Sequence, residues 1–136
     1  MKVSILQIKN QLLTSIQTDL TDDDLSQFRE DLLDKIAKVE PEGVVIDITS
    51  LDTVDSYMAR ILSETAHMVK MMGAHAVVCG MQPYVALTLV EMGRELVNVD
   101  TALNLDHGLE KLEALRESNA LIDDDDDYDD EMDGST

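Results

Sequence analysis

Between Asp47 and Ser56 the chain places three carboxylates and four hydroxyls in ten positions: Asp47, Thr49, Ser50, Asp52, Thr53, Asp55 and Ser56. Two kinds of chemistry are open to such a stretch. A pair of aspartates, here Asp47 and Asp52, can divide acid and base roles. A serine can accept a phosphoryl group. Ser56 precedes the apolar series Met58, Ile61, Leu62, Thr65, Val69 and Met72, whose steps of three and four mark one face of a helix. It therefore falls at the N-cap or in the first turn, where unpaired backbone N–H groups favour an anion. Plain capping suits the same position, and the residues alone leave both readings open. Asp52 and Asp55 already make the neighbourhood negative. A phosphate would add about −1.5 to −2 charges and repel any acidic partner docked there.

Other chemistries lack their residue patterns. His67, His75 and His107 are scattered, with no HExxH or paired-cysteine spacing, so no metal site is expected. Asp22-Asp23-Asp24 lacks the glycine and distal glutamate of a calcium loop and reads as a helix start. The glycines stand singly, with neither a G-x-G-x-x-G nor a Walker lysine loop, so no nucleotide cofactor is expected. Cys79, the single cysteine, follows Val77 and Val78 and reads as a small buried hydrophobe. Tyr57 and Tyr84 stand at the starts of two helices on one edge of the expected sheet, placed to anchor a partner.

These residues need a scaffold, and the patterning supplies one. Residues 3–8 and 12–17 read as two strands joined at Lys9-Asn10-Gln11. A helix of about 17 residues follows Thr21, with Leu25, Phe28, Leu32, Ile36 and Val39 inward and Pro41 and Gly43 at its end. Gly43 to Ile48 is apolar on both alternations until Asp47, which marks a strand buried on both faces of a mostly parallel sheet. After the helix that begins near Ser56 comes a strand at His75–Cys79. Pro83 then opens a helix with Ala86, Leu89 and Val90 inward. Leu96-Val97-Asn98-Val99 reads as a short strand, and a last helix from near Asn104 carries Leu105, Leu109, Leu112 and Leu115. The order β-β-α-β-α-β-α-β-α implies a single α/β domain with a parallel or mixed sheet, an N-terminal hairpin and four helices.

Charge narrows the partners. The 136 residues carry 29 acids against 10 bases, a net charge of −19. Nine acids and no base lie in residues 118–136, which leaves −10 for the body. We expect a folded unit over 1–118 and a disordered acidic tail over 119–136. Without a basic cluster, neither nucleic acid nor an anionic membrane surface is an expected partner. No apolar run approaches the roughly 20 residues of a spanning helix, and a signal peptide's pattern is missing, so the expected location is cytoplasmic.

Across residues 3–117 the chain resembles the STAS-domain family of anti-sigma-factor antagonists, and within it the small stressosome scaffold proteins. The resemblance rests on Gly43-Val44-Val45-Ile46-Asp47-Ile48-Thr49-Ser50, Asp55-Ser56, Met72-Gly73-Ala74 and Gly80-Met81-Gln82-Pro83. Val85-Ala86-Leu87-Thr88-Leu89 and Thr101-Ala102-Leu103 add to it. The resemblance implies a non-enzymatic scaffold that sequesters a serine/threonine switch kinase of the RsbT type. It further implies that the kinase phosphorylates Ser56 and is released, and that a phosphatase resets the scaffold. RsbR-type sensor-bearing paralogues and self-association through the STAS domain are implied as well. Asp47, Thr49, Asp52, Asp55, Tyr57, Tyr84 and Thr88 would then surround the phosphosite and form the kinase interface. The acidic tail departs from the family pattern.

Two other readings share the same residues. One is a small-molecule-sensing STAS module, which requires an apolar cavity between sheet and helices. The other is a small α/β enzyme using Asp47, Asp52 and Ser56, which requires a concave pocket at the strand ends.

Overall fold

The computed structural model describes residues 3–94, 96 and 99–118. Its first element is the expected hairpin, β1 (Ile5–Ile8) and β2 (Gln11–Ser15), slightly shorter than the apolar segments. The turn is Lys9-Asn10, with Lys9 in the left-handed region at φ 55°.

Helix α1 (Asp22–Val39) begins where a threonine precedes three aspartates. Thr21 Oγ1 accepts from the Asp24 N–H at 3.1 Å, and Asp24 Oδ2 accepts from the Thr21 N–H at 3.0 Å. This reciprocal cap serves two of the donors that a helix start leaves unpaired. Leu25, Phe28, Leu32 and Ile36 are buried along one stripe, and the helix ends where Glu40 turns left-handed before Pro41.

Strand β3 (Gly43–Asp47) lies parallel to β2, and β4 (His75–Cys79) lies parallel to β3. Helix α2 (Ser56–Met71) connects them, and α3 (Pro83–Glu91) connects β4 to β5 (Asp100–Ala102). A fourth helix, α4, spans residues 105–118. The five strands stand in chain order, β1-β2-β3-β4-β5, with only the hairpin antiparallel. Each parallel step advances the same way across the sheet. Right-handed crossovers therefore place α1, α2 and α3 on one face.

The core divides accordingly. Val44, Ile46, Ala76 and Val78 lie under the three crossover helices, with Phe28, Leu62 and Leu89 above them. Val45, Val77 and Cys79 face the opposite way and meet Leu112 of α4. Each fully buried Val, Leu, Ile or Phe side chain contributes about 1.5–3 kcal/mol, so β3 and β4 form the stable centre. Arg29 of α1 pairs with Glu64 of α2 at 3.2 Å, and Arg116 of α4 pairs with Glu42 at 2.9 Å.

Two expectations are corrected. Leu96 and Val99 do not form a strand; the one that pairs with β4 is Asp100–Ala102, and Val97 and Asn98 lie outside the described residues. Val90 is 57% exposed, and α3 buries Val85 and Leu89 instead. The tail expected over 119–136 also lies outside the described residues. No helix among the described residues is long and apolar enough to cross a membrane.

Candidate functional site

The loop from Asp47 to Ser56 leaves the carboxyl end of β3, the edge of a parallel sheet where ligands and partners tend to bind. It is pinned from below and polar above. Ile48 and Leu51 are fully buried, and Val54 and Tyr57 pack against the main core. Thr49, Ser50, Asp52, Thr53, Asp55 and Ser56 are exposed.

Asp47 stabilises the first bend. Its Oδ1 accepts from the Thr49 N–H at 3.0 Å and from the Thr49 hydroxyl. This is a strand-end carboxylate holding its own loop. Across the ladder it sits opposite Cys79, which is fully buried. Burial, joined by the charge of Asp47 and a hydrogen bond to it, pushes the Cys79 thiol up to about 12.

The cap of α2 is Asp55, whose Oδ1 accepts from the Met58 N–H at 2.8 Å. Ser56 is the first helical residue, and its side chain stands in solvent. Adjacent Asp and Ser are both good caps, and the chain uses the aspartate, so Ser56 has no capping task. Tyr57 is half-buried with the Arg60 guanidinium 5.1 Å from its ring centre, whereas Tyr84 is 60% exposed.

The neighbouring helix reaches the same rim. Gln82 Nε2 donates to the Thr49 carbonyl oxygen at 2.9 Å. This brings the start of α3, with Pro83 and Tyr84, beside the loop before α2. Thr88 donates its hydroxyl to the Tyr84 carbonyl oxygen at 2.8 Å. Gly80 lies in the same contact, at φ 77°, where a Cβ would collide with Thr49 Oγ1. Neither residue type announces this contact, because it joins positions 33 apart in sequence.

Asp47 lines an open groove of about 210 Å3 with Ser4, Leu6, Leu13 and Leu105; Asp52 and Ser56 do not line it. Among the described residues no group of three His, Cys, Asp or Glu could hold a metal ion. What the rim offers is a polar surface with a solvent-exposed serine at a helix start.

Residues 2–106 match the STAS-domain model. The chain belongs to the STAS-domain family. Its STAS domain is similar to a serine-to-glutamate variant of RsbS from Moorella thermoacetica, with 38% identity and a TM-score of 0.80, covering 86% of this chain and 99% of that one. A chain from a structure of the stressosome, described as a signal integration and transduction hub, is 41% identical with a TM-score of 0.76. That match covers 83% of this chain and 98% of the other. The RsbT co-antagonist protein RsbRA of Bacillus subtilis is 32% identical over 84 residues, 62% of this chain. The chain spans about a third of that curated relative's length, the match covering 31% of it. At 9% identity a Thermotoga maritima structure, TM-score 0.68, shares the fold alone.

Proposed function

We propose that this STAS domain is a stressosome-type scaffold whose output is the capture and release of a serine/threonine switch kinase of the RsbT type. Phosphorylation of Ser56 is the release event. The observation that carries the reading is the division of labour at the start of α2. Asp55 caps the helix, and the Ser56 hydroxyl is left exposed on a polar rim. The similarity to RsbS, to a stressosome chain and to an RsbT co-antagonist supports the choice of partner. Sensor-bearing RsbR-type STAS proteins are the further partners of such a scaffold.

The switch works by charge. The kinase moves the γ-phosphoryl group of ATP to Ser56 Oγ, breaking the bond to ADP and removing the hydroxyl proton. The product carries about −1.5 to −2 charges at the start of α2. The helix N-terminus tolerates that charge, but Asp52 and Asp55 flank it, so an acidic patch on the kinase is repelled. Asp47, Thr49 and Gln82 keep the loop in shape, while Tyr57, Tyr84 and Thr88 complete the docking face.

The test combines the full chain, a purified RsbT-type kinase, ATP and Mg2+. Intact mass and site mapping should show one phosphate, on Ser56, and kinase affinity should fall at least about tenfold. A Ser56→Ala protein that accepts phosphate as readily as the wild type would overturn the assignment.

A further inference from the structure

Ser56 opens α2, and Arg60 stands four residues on, along the same face of the helix. Both side chains are exposed. A group attached to Ser56 Oγ therefore lies within reach of the Arg60 guanidinium. An anion placed N-terminal to a cation at this spacing is the favourable order.

Arg60 is not committed elsewhere. Its guanidinium rests 5.1 Å from the centre of the Tyr57 ring, a weak hold at an exposed position. Glu64, the acid four residues further along, pairs instead with Arg29 of α1 at 3.2 Å. Asp55 is occupied by the Met58 N–H at 2.8 Å. Among the described residues Arg60 has no ion pair.

It is also alone in its charge. From residue 39 to residue 69 the chain has six acids and a single lysine or arginine, Arg60. Helix α3, the other helix of the rim, has no base. An acidic patch on a partner meets Asp52 and Asp55 here whether or not Ser56 is modified. Something must first draw that patch in, and Arg60 is the cation at hand. Exposed charges are screened over about 8 Å at physiological salt. Losing a direct ion pair therefore acts more strongly than repulsion through solvent.

We propose that Arg60 is the shared partner of two anions: a carboxylate of the docked kinase while Ser56 is unmodified, and the phosphate once it is modified. A phosphoserine at the first helical position draws the guanidinium off the Tyr57 ring into a charge-assisted pair, for which the planar fork of arginine is well shaped. The kinase then loses its anchor as well as meeting a new negative charge. The competition is for one side chain within about one turn of helix. This role rests on the kinase reading above and adds the residue that couples modification to release.

The test uses the full chain with phosphoserine installed at Ser56 during synthesis, so that no kinase is needed to make it. Phosphorus NMR follows the second ionisation of the phosphate, whose pKa is ordinarily about 6. Arg60→Gln should raise that value by at least about 0.3, and Arg60→Lys should restore part of the difference. Arg94→Gln, beyond the far end of α3, should match the wild type. Binding titrations with a purified RsbT-type kinase supply the second readout. Unphosphorylated Arg60→Gln should bind about tenfold more weakly than the wild type, and phosphorylation should weaken it further by no more than about threefold. Equal phosphate titrations in the wild type and Arg60→Gln would overturn the proposal, as would unphosphorylated proteins that bind the kinase equally well. Should the phosphorylated wild type hold the kinase as tightly as the unmodified one, the kinase reading itself falls and carries this role with it. A wild type released by phosphate, beside an Arg60→Gln protein released as strongly, defeats the role of Arg60 alone.

Discussion

Gln82 donates from Nε2 to the carbonyl oxygen of Thr49 at 2.9 Å, so the turn that opens α3 and the loop that leads to α2 form one surface. Asp47 holds Thr49 from the other side through its N–H and its hydroxyl. The shape of the Ser56 rim therefore depends on residues that lie beneath it.

Gly80 should be the least replaceable residue of this support. At φ 77° a side chain is strained, and its Cβ would collide with Thr49 Oγ1 and stand 3.0 Å from the Thr49 Cα. Gly80→Ala should lower the unfolding free energy by about 2 kcal/mol or more. Gly73→Ala, at φ 94° with open space around it, carries the backbone cost alone, about 1 kcal/mol. Urea denaturation of both variants measures the difference; equal losses would mean that the contact with Thr49 is dispensable.

Asp55 should separate stability from switching. Asp55→Ala removes the bond to the Met58 N–H and should destabilise the domain by about 1 kcal/mol. Asp55→Asn keeps an acceptor in place and should hold thermal stability close to wild type. With the charge gone, phosphorylated Asp55→Asn protein should bind the kinase more tightly than the phosphorylated wild type does. Thermal melts and binding titrations read the two effects separately.

Cys79 gives a pH signature. Its thiol titrates near 9.0 when unfolded and at about 12 in the fold, chiefly because it is buried, with Asp47 adding to the shift. Between those values the unfolded chain releases a proton that the folded chain keeps. Stability from this group is thus complete below pH 9 and declines as the pH rises toward 12. Urea midpoints across that window should fall more steeply for the wild type than for Cys79→Ala. Parallel slopes would contradict the shift.

Tyr84 should matter for binding and little for folding. Its ring is 60% exposed, while its carbonyl, the acceptor for Thr88, survives any side-chain change. Tyr84→Ala should leave the unfolding free energy within about 0.5 kcal/mol and weaken kinase binding by about tenfold. Unchanged kinase affinity would remove Tyr84 from the docking face.

Much of this architecture is written in local pattern. The stripe Leu25-Phe28-Leu32-Ile36 and the doubly buried Val44-Val45-Ile46 follow directly from periodicity, and α1 and β3 lie where it puts them. The errors arise where tertiary context decides. Leu96 and Val99 are more apolar than Asp100-Thr101-Ala102, yet register with Val77, Val78 and Cys79 selects the latter. Val90 looks like a core residue, but α3 covers the sheet with only Val85 and Leu89. At the site, the bend at Asp47 is legible because an aspartate at a strand end serves its own loop. Which of Asp55 and Ser56 caps α2 is not legible, since either residue fits. The tie from Gln82 to Thr49 is invisible to any local rule.

The order of the strands across the sheet, identical to their order along the chain, bears on how the protein is made. Every strand pairs with the one synthesised just before it, so a growing polypeptide never has to reserve a gap for a strand still inside the ribosome. Loop closure at each step spans only one helix and its turns, which keeps the entropy of each closure modest. The face under α4 is sealed last, when Leu112 arrives over Val45 and Val77. A chain stalled before that point would carry a finished sheet with one oily side still bare.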